Sequence, residues 1–99
     1  MKELMARYCD GDASAFHELY ALAAPRVLGY LLDHSGDRAR SEELLQQTFL
    51  DLHGQRAIYV RGADPLPWIL AIAERRLRSQ SRSLPLSRRR ATNGATYQP

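Results

Sequence analysis

The chain has 99 residues, 44% of them hydrophobic and 25% charged, a composition that fits one small globular domain and excludes a deep-clefted multidomain enzyme and a disordered chain. Its single cysteine, Cys9, excludes an internal disulfide and a zinc site built from several thiolates. The net charge of +3 is uneven: residues 1–64 hold seven Lys/Arg against ten Asp/Glu, whereas residues 65–99 hold seven Arg against Glu74 alone, a layout that predicts contact with a polyanion, nucleic acid first, or else a basic tail that keeps the protein soluble.

The opening residues MKELMARYCDGD carry no long apolar run of the signal-peptide kind. Nor does any stretch approach the roughly 20 apolar residues of a membrane span. A cytoplasmic protein without membrane contact is therefore expected. A first short helix runs from Glu3 to about Cys9 and ends at the turn pair Asp10-Gly11. Asp12 then serves as an N-cap, its carboxylate placed to accept backbone N–H bonds of the next turn. Phe16, Leu19, Tyr20, Ala23, Val27, Leu28 and Leu31 follow at helical spacing and predict one apolar stripe on a long helix reaching about Asp33. Pro25 lies inside that stretch, and its missing N–H predicts a kink or a split.

Ser35-Gly36-Asp37 closes this element, and Asp37 or Ser41 is the candidate cap of the next. Leu44, Leu45, Thr48, Phe49 and Leu52 form a second stripe that ends near His53-Gly54. Residues 55–63 lose the period and read as a loop. Asp64-Pro65 reads as N-cap and first helical residue. Leu66, Trp68, Ile69, Ile72, Ala73 and Leu77 then supply the third stripe. From residue 83 the composition turns to Ser, Pro, Arg, Gly and Thr without a period, which predicts a disordered basic tail over 83–99 behind a domain of residues 1–82. The expected fold is all-α, a compact bundle of three to five helices.

An enzyme is not expected. His17, His34 and His53 lie on separate segments without metal-ligand spacing, and Cys9 precedes an acidic turn that disfavours its thiolate. As a lone cysteine on an apolar-leaning segment, Cys9 reads as a small buried hydrophobe rather than a redox sensor. Glu42-Glu43 and the Asp10/Asp12 pair read as a solvated helix face and a cap. No metal and no cofactor is expected. The last helix is more informative, because Arg75, Arg78 and Arg82 fall at i, i+3 and i+7 on one face. Such a face neutralises phosphates and makes binding salt-dependent. Upstream, Tyr59, Arg61 and Trp68 offer aromatic and cationic surfaces for unstacked bases. The spacing of Trp68 favours a core position, which leaves Tyr59 as the better exposed platform.

Three blocks carry a family resemblance. Gly11-Asp12-Ala13-Ser14-Ala15-Phe16-His17-Glu18-Leu19-Tyr20 resembles the GDxxAFxxLY opening of region 2 of bacterial sigma factors of the extracytoplasmic-function (ECF) group. Ser41-Glu42-Glu43-Leu44-Leu45-Gln46-Gln47-Thr48-Phe49-Leu50 is similar to their AEDLxQxTFL helix. Pro67-Trp68-Ile69-Leu70-Ala71-Ile72-Ala73 is similar to the PWLxxIA start of their DNA-facing helix. The blocks stand in the family order and span about residues 4–82.

The resemblance implies that Glu43, Leu44, Gln46 and Gln47 dock on the clamp coiled coil of the largest RNA polymerase subunit; apart from the resemblance, they read as a polar face over a leucine core. It implies that Tyr59, Val60 and Arg61 form the loop holding a base flipped from the promoter minus-ten element, and that Trp68, Arg75, Arg76, Arg78 and Arg82 lie along the helix facing its duplex and unpaired non-template strand. It also leaves room for an anti-sigma factor as a partner. The sequence departs from the pattern where IARN reads Ile72-Ala73-Glu74-Arg75, where the following Asp falls near Ser79, and where the A and D of AEDL are Ser41 and Glu43. The family's second, helix-turn-helix domain has no counterpart after Arg82, so either an excised domain or a region-2-only relative is expected. The function expected is a transcription initiation domain; the alternative is an interaction module that binds polymerase without productive promoter opening.

Overall fold

A computed structural model describes residues 1–83, with the side chains of residues 1–79. Four helices follow in chain order, α1 Lys2–Cys9, α2 Ala13–Ser35, α3 Arg38–Gln55 and α4 Pro65–Ser83, with a 3-10 turn at Arg56–Ile58 after α3. No strand occurs among the described residues. The all-α bundle expected from the three apolar stripes is the observed fold. Ser83, expected to begin the tail, is the last residue of α4; the rest of the expected tail, 84–99, lies outside the described residues.

The helix boundaries follow from local chemistry. Asp12 caps α2, its Oδ1 accepting from the N–H of Ser14 at 3.0 Å and of Ala15 at 3.3 Å. Its other oxygen accepts from Arg7 Nε at 3.0 Å and Nη2 at 2.9 Å, so one carboxylate both starts α2 and holds the end of α1. Gly36, at φ +69°, ends α2 in the left-handed region that a Cβ disfavours. Asp37, rather than Ser41, caps α3 by accepting from Arg40 N–H. Ser41 sits one turn inside α3, fully buried, with its hydroxyl 2.7 Å from that of Ser35. That bond satisfies a buried polar group and ties the end of α2 to the start of α3. Asp64 accepts from Leu66 N–H at 3.1 Å and opens α4, with Pro65 as its first residue.

Of the kink or split that Pro25 predicts, the split does not occur: Ala13–Ser35 is one continuous helix. Ala21, Leu22, Pro25 and Arg26 are all exposed. The carbonyl of Ala21, deprived of its usual donor, therefore faces water that can satisfy it.

The core joins all four helices. Met5 and Tyr8 of α1, Ala15, Leu19, Ala23, Val27 and Leu31 of α2, Leu44, Phe49 and Leu52 of α3, and Ile69, Ile72 and Ala73 of α4 are buried in one cluster. Phe16, Tyr20 and Phe49 pack at ring separations of 4.7–6.3 Å. Tyr8, though buried, keeps a partner for its hydroxyl in His53 Nδ1 at the end of α3.

The Asp12 cap has a pH signature. Its bonds to Ser14 and Arg7 hold the carboxyl down at about 2, against an ordinary value of 3.8. Asp51 and Asp10 are held low as well, by Arg76 and Arg61. A carboxyl depressed by folding stabilises the fold above its unfolded value, and that contribution is lost as pH falls through the folded one. Thermal melts are therefore expected to shift downward as pH falls from about 4 to about 2. Asp12→Asn, which keeps a capping oxygen but no titrating charge, is expected to flatten part of that fall.

Candidate functional site

Two surfaces stand out. The first runs along α4. Trp68 and Arg75 are seven residues apart, which returns them to one face of a helix about 10 Å along its axis; Arg78 and the backbone position of Arg82 lie within a further 60° or so of that line.

At the start of this stripe, the loop after the 3-10 turn meets Trp68. Ile58, Tyr59, Val60, Ala63, Asp64 and Trp68 line a cavity of about 190 Å³. Tyr59 is not the exposed platform expected from its polar neighbours. Its ring packs against the Trp68 indole with centroids 5.6 Å apart, and its hydroxyl donates to the Ala63 carbonyl. The turn at Gly62, with φ +90°, brings Ala63 round to make that bond. Trp68 is half-buried, so it both packs on the core, as its spacing predicts, and contributes to the cavity wall. The side chains in solvent are instead Val60 at 71% and Ile58 at 72% exposure. Both border the cavity beside Trp68. Ile58 escaped the sequence reading because it lies outside every periodic stripe. Arg61 reaches back across the bundle, Nη2 at 2.5 Å from Asp10 Oδ1, and so anchors the loop to the α1–α2 turn instead of standing free.

Further along α4, Asp51, Arg75, Arg76, Arg78 and Ser79 line a cleft of about 450 Å³. Arg75 and Arg78 are exposed, as the helical spacing predicts. Glu74 approaches Arg78 only to 3.9 Å. Arg76 differs from them, because its Nε and Nη2 donate to the two oxygens of Asp51 on α3 at 2.5 and 2.7 Å. The Arg82 side chain lies outside the described ones. Asp51 was missed from sequence, since nothing local marks an acid whose partner is 25 residues away.

The second surface is the outer face of α3. Glu43 and Gln46 are exposed and Gln47 half-exposed, at i, i+3 and i+4. Leu44 is fully buried and cannot be a surface contact: its place in the apolar stripe turns it to the core. The exposed leucine of this helix is Leu50, at 70%, one turn beyond Gln47. It shares the face of Glu43, and the signal that finds it is the i, i+7 spacing.

Cys9 is half-buried, its Sγ 3.5 Å from the Arg56 carbonyl oxygen. No group of three or more His, Cys, Asp or Glu among the described residues is placed to hold a metal ion. No described helix is long and apolar enough to cross a membrane.

The profile of the family Sigma-70 region 2 matches residues 19–84. The RNA polymerase sigma factor CarQ of Myxococcus xanthus is 42% identical over 69 residues, covering 70% of this chain and 40% of that protein. The ECF RNA polymerase sigma factor SigF of Caulobacter vibrioides is 33% identical over 78 residues, covering 78% of this chain and 44% of that protein. The chain thus spans about two-fifths of the length of these relatives. No solved structure matches it.

Proposed function

This chain belongs to the Sigma-70 region 2 family, and from that premise we propose that it is a transcription initiation module, docking on RNA polymerase through α3 and engaging promoter DNA through α4 and the loop before it. The observation that carries the reading is the single stripe of α4 that runs from the aromatic-walled cavity at Trp68 to the cleft lined by Arg75 and Arg78. A separation of about 10 Å along that stripe spans roughly three stacked nucleotides. A base leaving the stack finds apolar walls and an aromatic ring at one end, while the phosphates that follow it find guanidinium groups at the other. Promoter opening of this kind needs no catalytic group. The cost of unpairing, a few kcal/mol, is offset by stacking and pocket contacts.

On the same reading, Glu43, Gln46, Gln47 and Leu50 form the face that meets the clamp coiled coil of the largest polymerase subunit. Polar groups ringing one exposed leucine suit a helical partner with a complementary basic rim. The test is binding of the full chain to the isolated clamp coiled coil. Wild-type protein is expected to bind, and Glu43→Arg to weaken binding about tenfold or more. A folded, helical protein that does not bind the coiled coil would overturn the docking assignment.

A second reading has specific support. Arg61 is tied to Asp10, Arg76 to Asp51, and Glu74 lies beside Arg78. Three basic groups near the DNA-facing stripe therefore have acidic neighbours, as a polymerase-binding module without productive promoter opening would have. The two readings divide on the salt dependence of single-stranded promoter binding, steep for the first and shallow for the second.

A further inference from the structure

Arg76 and Asp51 meet fork to fork. Nε and Nη2 of the guanidinium each donate to a different carboxylate oxygen, at 2.5 and 2.7 Å. The paired geometry is the strong form of an ion pair, with both donors aligned on a planar acceptor. It is partly shielded on the acid's side, with the Asp51 side chain 25% and the Arg76 side chain 42% exposed. Asp51 lies on α3 directly after Leu50, and Arg76 lies on α4 directly after Arg75. The pair thus bridges the two helices whose outer faces carry the two proposed contacts. One residue along a helix is a turn of about 100°, so Arg76 leaves α4 toward α3 while Arg75 leaves it toward solvent. All three groups, with Arg78, border the same cleft of about 450 Å³. In that cleft Asp51 is the anion already in place.

We propose that Asp51 is an affinity-setting residue: by holding Arg76 against α3 it withholds one guanidinium from the nucleic acid that Arg75 and Arg78 meet. This rests on the DNA-binding reading above. A phosphate entering the cleft faces Arg75 and Arg78 directly and competes with Asp51 for Arg76. The free chain therefore presents fewer phosphate contacts than its count of arginines suggests, and its grip on non-specific DNA is kept weak by an acid on the neighbouring helix.

The test uses the full chain and a short oligo-dT, with affinity measured over a series of salt concentrations. Each phosphate contact on a single strand contributes about 0.7 to the slope of log K against log salt. Asp51→Asn is expected to tighten binding several-fold and to steepen the slope by about 0.7, while Arg76→Gln alone leaves the slope of the wild type. In the Arg76→Gln background, adding Asp51→Asn is expected to leave the slope unchanged. A slope that falls in Arg76→Gln would mean that Arg76 already contacts phosphate, and would overturn the proposal. Equal tightening by Asp51→Asn with or without Arg76 would also overturn it, because Asp51 would then act through its own charge. Should Asp51→Asn fail to fold, Asp51→Ser, which also removes the charge, takes its place in both backgrounds. A wild type that binds oligo-dT with a flat salt dependence would remove the DNA reading itself, an outcome distinct from a steep wild type on which Asp51 has no effect.

Discussion

Leu44→Ala is expected to lower stability by about 2–5 kcal/mol, the range for deleting a fully buried leucine side chain when its surroundings relax only in part. Leu44 has no exposed surface and belongs to the cluster that includes Leu19, Leu31, Leu52 and Ile72. A small domain holds on the order of 5–15 kcal/mol in all, so the variant should melt roughly 8 °C or more below the wild type. Leu50 supplies the contrast from the same helix, six residues on. At 70% exposure it has little to lose on truncation, and Leu50→Ala should stay within about 0.5 kcal/mol of the wild type. Binding to the clamp coiled coil should behave in the opposite sense, falling for folded Leu50→Ala. Thermal denaturation followed by circular dichroism, with coiled-coil binding measured below both melting points, checks the pair. A Leu44→Ala protein that melts like the wild type yet fails to dock would show Leu44 to be a contact and its place in the core to be wrong.

The contrast between these two leucines shows which part of the chain is legible in its sequence. The helices and their stripes are, because they depend on short-range rules: Asp12, Asp37 and Asp64 each accept from an N–H two or three residues on, and helical period places Leu44 inward and Leu50 outward. What escapes is long-range pairing. Arg61 reaches 51 residues back to Asp10, Tyr8 reaches 45 residues on to His53, and Arg76 reaches 25 back to Asp51. Each of these side chains taken alone reads as a solvated or free group. Tyr59 was misplaced for a different reason: its partners, the Ala63 carbonyl and Trp68, are near in sequence, but the turn at Gly62 that brings them to it has no periodic signal. Pro25 is the converse case, a local signal that does not break the helix, because it lies on a face where water can satisfy the carbonyl it leaves without a donor.

Replacing Arg75 and Arg78 together by Ala is expected to weaken single-stranded promoter binding on the order of ten- to hundredfold and to flatten its salt slope by about 1.4, two contacts at about 0.7 each. Both side chains are exposed, and Arg78 has only Glu74 at 3.9 Å as an ionic neighbour, so helicity and melting temperature should stay near those of the wild type. Docking on the clamp coiled coil should be unchanged, because Glu43, Gln46 and Leu50 lie on a different helix. The reciprocal variant, Glu43→Arg, should lose docking and keep the salt slope. Crossing the two sets is what separates function from fold. If the double arginine variant lost both activities, α4 would be acting as scaffold and the stripe from Trp68 to Arg78 would have no claim on DNA. If the wild type already bound with a slope as shallow as the variant's, then Arg75 and Arg78 meet no phosphates in the free chain. The acids at positions 10, 51 and 74 would then define the surface, and the polymerase-binding module would be the better account of it.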